Sequence, residues 1–169
     1  MGGMDTVGTF ADALEGQSTV HVTTASAFPD ALESAMDPPA VGTPLPYEGV
    51  SLADAGVETD FDLAALDAAR TGVTPAGLGI AEYGTVTLVS NEAGTELASL
   101  YVNRHVAVVA ASDLAPDMPA AYDRIDEGVA AGDGTQILAT GPSATADMGE
   151  LIRGVHGPHE THVVVVEDR

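Results

Sequence analysis

No cysteine and no lysine occur anywhere in the 169 residues. Without thiols the chain forms no disulfide, offers no thiolate nucleophile, and holds no cysteine-ligated iron–sulfur cluster or zinc ribbon. Any redox metal chemistry must then belong to a partner. Positive charge comes from five arginines alone, set against 26 acidic residues, for a net charge of −21. Nucleic acid is disfavoured as a partner, because a phosphate backbone needs a basic face that five scattered arginines cannot build. Anionic membranes are disfavoured for the same reason. No apolar run approaches the roughly 20 residues of a spanning helix, and the start MGGMDTVGTF has neither the basic end nor the apolar core of a signal peptide. A soluble, cytoplasmic protein is expected. Walker loops, GxGxxG, GxSxG and internal repeats are also missing.

What is present is an ordinary apolar core. A hydrophobic content of 45% in a chain of this length supports one globular domain over residues 1–169. An acidic, solvated surface around such a core fits a halophile's protein, where salt screens the self-repulsion. Val7, Phe10, Ala11 and Leu14 recur at helical spacing over residues 5–15, and STVHVTT (18–24) alternates as a strand. A short helix is predicted over 30–36, ended by Pro38-Pro39. The stretch 40–51 reads as loop with one short edge strand. Phe61, Leu63, Leu66 and Ala69 predict a helix that Gly72 would end. Strands follow at 77–81, 85–89 and 105–111, then a helix from about Pro119, a strand at 135–140, a helix at about 147–153 and a strand at 162–167. Alternating βα units with apolar strands argue for an α/β fold with a largely parallel sheet flanked by helices.

The chain is organised around GPSATAD (141–147) and GVHGP (154–158), a polar segment joining two apolar runs. Gly141 and Pro142 break the first run, and Ser143, Thr145 and Asp147 then offer three short oxygen side chains. Asp147 with Glu150 reads as a capping-box variant, which places a helix start there. The N–H groups of such a start suit a small carboxylate or phosphate ligand; a well-capped surface turn is the plainer reading. Glu82 falls where one strand breaks and another begins, a costly place unless it is paired, or else a solvent-facing hairpin turn. His156, His159 and His162 recur every third residue, a spacing that a turn also produces by chance, and no metal site is assigned.

Four segments taken together, GIAEYGTVTL, LYVNRHVAVVAASDLAPDMPAA, GPSATAD and GVHGPHETHVVVVED, resemble in order and spacing the LUD-domain family, in particular its lactate-utilisation protein C group. The resemblance covers roughly residues 72–169. The family's A-E-T-G-T pattern is matched by Ala81, Glu82, Gly84 and Thr85, with Tyr83 departing. Its G-P-S-R-T-A-D pattern is matched except that Ala144 replaces the arginine, for which Arg153 or Arg104 could stand in. His105 matches the histidine that opens the middle strand, and Gly157 belongs to the matching last turn.

The resemblance implies a fold similar to the NagB, ribose-5-phosphate isomerase and CoA-transferase superfamily. It implies a component of L-lactate oxidation to pyruvate, acting with iron–sulfur lactate-utilisation proteins A and B, which carry the clusters while this chain binds no cofactor of its own. The site would collect Glu82, His105 and His156 as catalytic candidates. Gly84, Thr85, Gly141, Ser143, Thr145, Asp147 and Gly157 would contact the ligand. Two alternatives stay open: a non-catalytic small-molecule or nucleotide-binding regulatory module, and a CoA-transferase-like enzyme with Glu82 as nucleophile. A homo-oligomer is also left open.

Overall fold

RHVAVVA (Arg104–Ala110) is buried along nearly its whole length, and so are the four valines that end Glu160–Val166. A strand with no solvated face must lie inside a sheet covered on both sides. The computed structural model describes the backbone of residues 3–169, with side chains from Thr6 onward except that of Asp147. In chain order the elements are α1 (Gly3–Ala13), β1 (Thr19–Thr23), α2 (Phe28–Ala35), β2 (Ala40–Gly42), β3 (Val57–Glu58), α3 (Leu63–Ala68), β4 (Thr71–Pro75), β5 (Leu78–Ile80) and β6 (Thr85–Val89). They continue with α4 (Thr95–Leu100), β7 (Arg104–Ala110), β8 (Leu114–Ala115), α5 (Met118–Ala131), β9 (Gln136–Thr140), β10 (Ala144–Asp147), β11 (Glu150–Arg153) and β12 (Glu160–Val166).

Six strands form one sheet in the order β1-β12-β7-β4-β2-β3, every pairing parallel. The expected α/β class with a largely parallel sheet flanked by helices therefore holds. Val106, Val108, Val164 and Val166 meet Phe28 and Leu32 of α2 on one face. On the other, Ala107, Val109, Val163 and Val165 meet Phe10 of α1 and Leu14 just after it, together with Val86 and Leu88 of a second sheet. That second sheet runs β8-β5-β6-β9, with β6 antiparallel to both its neighbours. α5 closes it through Ala121 and Ile125 against Leu78, Ile80 and Ala115. Asp117 caps α5 by accepting from the Ala120 N–H at 2.9 Å, Pro119 occupies its first turn, and Gly132 ends it at φ 107°.

Three local expectations are corrected. Residues 147–153 form no helix: β10 and β11 are an antiparallel hairpin in which Asp147 faces Glu150 across the turn. Met148 and Gly149 sit at φ 49° and 84°, the pair of left-handed residues that a two-residue hairpin turn requires. Seven residues with Gly149 inside are too short for a stable helix. Gly72 does not end α3, which stops at Ala68; it lies inside β4. There a Cβ would come 1.7 Å from the Ala98 carbonyl oxygen, so only glycine lets α4 approach the sheet this closely. The short strand within 40–51 is not at an edge, since β2 lies between β4 and β3.

Candidate functional site

The three glycine-rich motifs meet where the hairpin leaves the fold. The Ser143 N–H donates to the Pro158 carbonyl and the Gly154 N–H donates to the Ser143 carbonyl, both at 2.9 Å, so the two strands of chain leading into and out of the hairpin are tied at its base. Gly141 and Gly154 adopt φ 64° and 77°, which the reversals need. A Cβ on Gly154 would lie 2.1 Å from the His159 ring; the imidazole takes up the space that a side chain there would fill. Gly157 packs against Ser143. The third motif joins through hydroxyls, the Thr85 and Thr140 Oγ1 atoms standing 2.6 Å apart. Gly84, at φ 65°, fits against Leu14 at the end of α1. Gly84, Thr85, Gly141, Ser143 and Gly157 are thus gathered. Thr145 stands apart on the hairpin, and the side chain of Asp147 lies outside the described residues.

Two clefts flank this junction, at the amino ends of β4, β7 and β12. The larger, about 690 Å³, has Tyr101, Asn103 and the loop from Gly154 through His156 to His159 on its walls. The Asn103 carbonyl accepts the His159 and Glu160 N–H groups, which fixes that loop to the start of β7. The smaller, about 360 Å³, is bounded by the 16–19 turn and by Arg153, His159 and His162. His159 is common to both.

The charge pattern sets these clefts apart. The larger has no carboxylate on its walls. The smaller has one, Glu160, and the Arg104 guanidinium holds it through two bonds at 2.9 and 2.5 Å. Other clefts among the described residues face Asp67, or Asp30, Glu33 and Asp54, or Asp113, Glu127 and Asp133. In a chain with 26 acidic residues, two clefts without an unpaired carboxylate on their walls favour an anion there.

The three catalytic candidates do not converge. His156 lines the larger cleft. His105 is 3% exposed, with its Nε2 2.8 Å from the Thr74 hydroxyl, and burial pulls its pKa down to about 4, which leaves it neutral at pH 7. It lines neither cleft. Glu82 is exposed in the turn between β5 and β6 and also lines neither. Of the arginines offered for the missing guanidinium, Arg104 is committed to Glu160 and to the Ala35 carbonyl. Arg153 sits directly across the hairpin from Ala144, with no ion pair among the described residues. Cross-strand neighbours share a face with Cβ atoms roughly 5 Å apart, so one face of the hairpin keeps a guanidinium at a shifted position.

Residues that sequence reasoning missed as lining groups are Tyr101, Asn103 and His159. For Asn103 a signal existed, since it immediately precedes the strand Arg104–Ala110; for His159, the Gly157-Pro158 turn before it did. Among the described residues no group of three His, Cys, Asp or Glu is placed to hold a metal ion. His162 instead stacks on His21, their facing nitrogens 3.1 Å apart. Among the described residues no helix is long and apolar enough to cross a membrane.

Known proteins resemble this chain in sequence and in fold. Lactate utilization protein C of Bacillus licheniformis is 36% identical over 114 residues, 65% of this chain and 48% of that protein. The protein of the same name from Bacillus subtilis is 34% identical over 137 residues, 79% of this chain and 55% of that one. The chain spans about half the length of these curated relatives. A crystal structure of a DUF162 family protein from Deinococcus radiodurans superimposes with a TM-score of 0.71 at 20% identity, covering 98% of this chain and 99% of the other; that likeness bears on the fold. The LUD domain is matched by residues 48–166, well over half of the sequence, and the chain belongs to the LUD-domain family.

Proposed function

We propose that this chain serves the utilisation of L-lactate in a salt-adapted cell, as a component that works beside iron–sulfur partner proteins. Support comes from relatives that carry the name lactate utilization protein C and from one structural observation: the loop of the last motif, Gly154 to His159, borders a cleft free of carboxylates, with His156, Asn103 and Tyr101 on its walls. The lactate or pyruvate carboxylate is repelled by most of this surface and tolerated there. Oxidising lactate to pyruvate releases two electrons and two protons. With no cysteine to ligate a cluster, the electrons pass to the partners' centres, while His156, one of two imidazoles on the cleft walls, takes one proton and the other passes to solvent.

An affinity pull-down of the tagged chain in multimolar KCl, from cells grown on lactate, tests this. Cysteine-rich proteins with iron and acid-labile sulfide in the eluate are expected. Recovery of the chain alone overturns the reading. The separation of Glu82, His105 and His156 favours a second reading, a ligand-binding module without turnover. It predicts thermal stabilisation by a carboxylate ligand, about 2.7 kcal/mol at a hundredfold excess over Kd, and a flat response to lactate and pyruvate refutes it.

A further inference from the structure

The smaller cleft differs from the larger in its donors. Arg153 reaches it from the hairpin, Gln17 and Ser18 from the turn after α1, Thr19 from the start of β1, and Thr161 from the start of β12. The Ser18 and Thr161 hydroxyls bond to each other. Each hydroxyl owns one proton, so the pair keeps one to donate outward. His162 contributes in the same way. With its Nδ1 taken by His21, its Nε2 is the nitrogen left to a ligand, and burial together with Arg104 and His21 draws its pKa down to about 4, so at neutral pH it is an uncharged hydrogen-bonding group. The fixed positive charge is therefore Arg153, exposed, with no ion pair among the described residues and no unpaired carboxylate on the cleft wall.

The shape of this donor set decides the ligand class. A planar carboxylate is satisfied by one guanidinium fork. Here a guanidinium, hydroxyls, a side-chain amide and imidazoles come from three separate segments of chain. That arrangement suits four oxygens pointing in different directions. We infer that the cleft between residues 16–19 and Arg153–His162 is a phosphate site, taking a tetrahedral dianion either as the free ion or as the phosphate of a larger ester. An ester's remainder would pass over His159, which borders both clefts. This goes beyond the lactate reading and stands without it, because it rests on Arg153 and the 16–19 turn rather than on the loop at His156.

The test is calorimetric titration of the full chain with inorganic phosphate, and separately with adenosine monophosphate, at pH 8 and constant multimolar KCl. Saturable binding is expected, with Kd raised about ten- to a hundredfold in Arg153→Gln, the loss of one charge-assisted pair. Arg153 is exposed on the hairpin, and an unchanged melting temperature shows that the variant is folded. Ser18→Ala is expected to weaken phosphate by a smaller factor and gives a second, independent variant. Adenosine monophosphate binding tighter than phosphate, and weakened by His156→Ala, assigns an ester that spans both clefts; equal or weaker binding of the ester assigns the free ion. No binding of either, or affinity unchanged in Arg153→Gln, overturns the site. Failure of the lactate reading shows up in the pull-down and leaves this titration untouched.

Discussion

His105 makes the stability of this protein pH-dependent in a way that can be isolated. In the fold its imidazole is buried with Thr74 as partner and holds no proton until the pH falls to about 4, against 6.5 in the unfolded chain. Between these two values the unfolded state binds a proton that the folded state refuses. The contribution is therefore fully present above pH 6.5 and lost as pH falls toward 4. A shift of this size corresponds to about 3 kcal/mol in full, of which about 2 kcal/mol disappears between pH 7 and pH 5. Twenty-six acidic residues titrate over an overlapping range, so the effect must be read as a difference. Urea unfolding in constant multimolar KCl, at pH 7 and pH 5, is compared for the native chain and His105→Gln, whose amide keeps a partner for the Thr74 hydroxyl and does not titrate. The native chain should lose about 2 kcal/mol more than the variant over that interval. Parallel losses would show that His105 is not buried neutral in the sheet, and the account of its environment would be wrong. His162 shifts in the same direction, but it is partly exposed and is present in both proteins, so it cancels.

Two further outcomes follow from the packing. Gly72→Ala forces a methyl into the Ala98 carbonyl, 1.7 Å away, and either α4 withdraws or β4 bends; a loss of about 3 kcal/mol or more, of the order of severe overpacking, is expected in urea unfolding, and a loss below about 0.5 kcal/mol would refute the close approach. Asp117→Ala removes the N-cap of α5 and should cost about 1 kcal/mol, measured in the same assay, whereas an unchanged midpoint would mean that the Ala120 N–H finds another acceptor.

Two of the three corrected expectations share a cause, which is that glycine has several uses. Gly72 was expected as a helix stop because it follows an apolar helical pattern, yet its role is to leave room for α4, a neighbour twenty-odd residues away in sequence. Gly149 and Met148 turn a hairpin that Asp147 and Glu150 disguise as a capped helix. The capping-box pattern and a hairpin turn both call for short polar residues around a reversal, and only pairing between Ala144–Asp147 and Glu150–Arg153 decides between them. The motif loops were legible as a group because their glycines and prolines stand in register with the apolar strands on either side. The separation of Glu82 and His105 from His156 was not, since nothing in the spacing says which turn faces which cleft.

The sequence by itself determined the class of fold, the strands that must be interior, and the absence of any thiol chemistry in this chain, because burial on both faces and missing atoms are local properties. Tertiary structure decided where charge is absent. It paired Glu160 with Arg104, left Arg153 opposite Ala144, and placed His159 between two clefts, all through contacts between segments that the chain order keeps apart. In a protein with a net charge of −21, an anion's binding place is set by which few positions the carboxylates leave free, and that follows from packing.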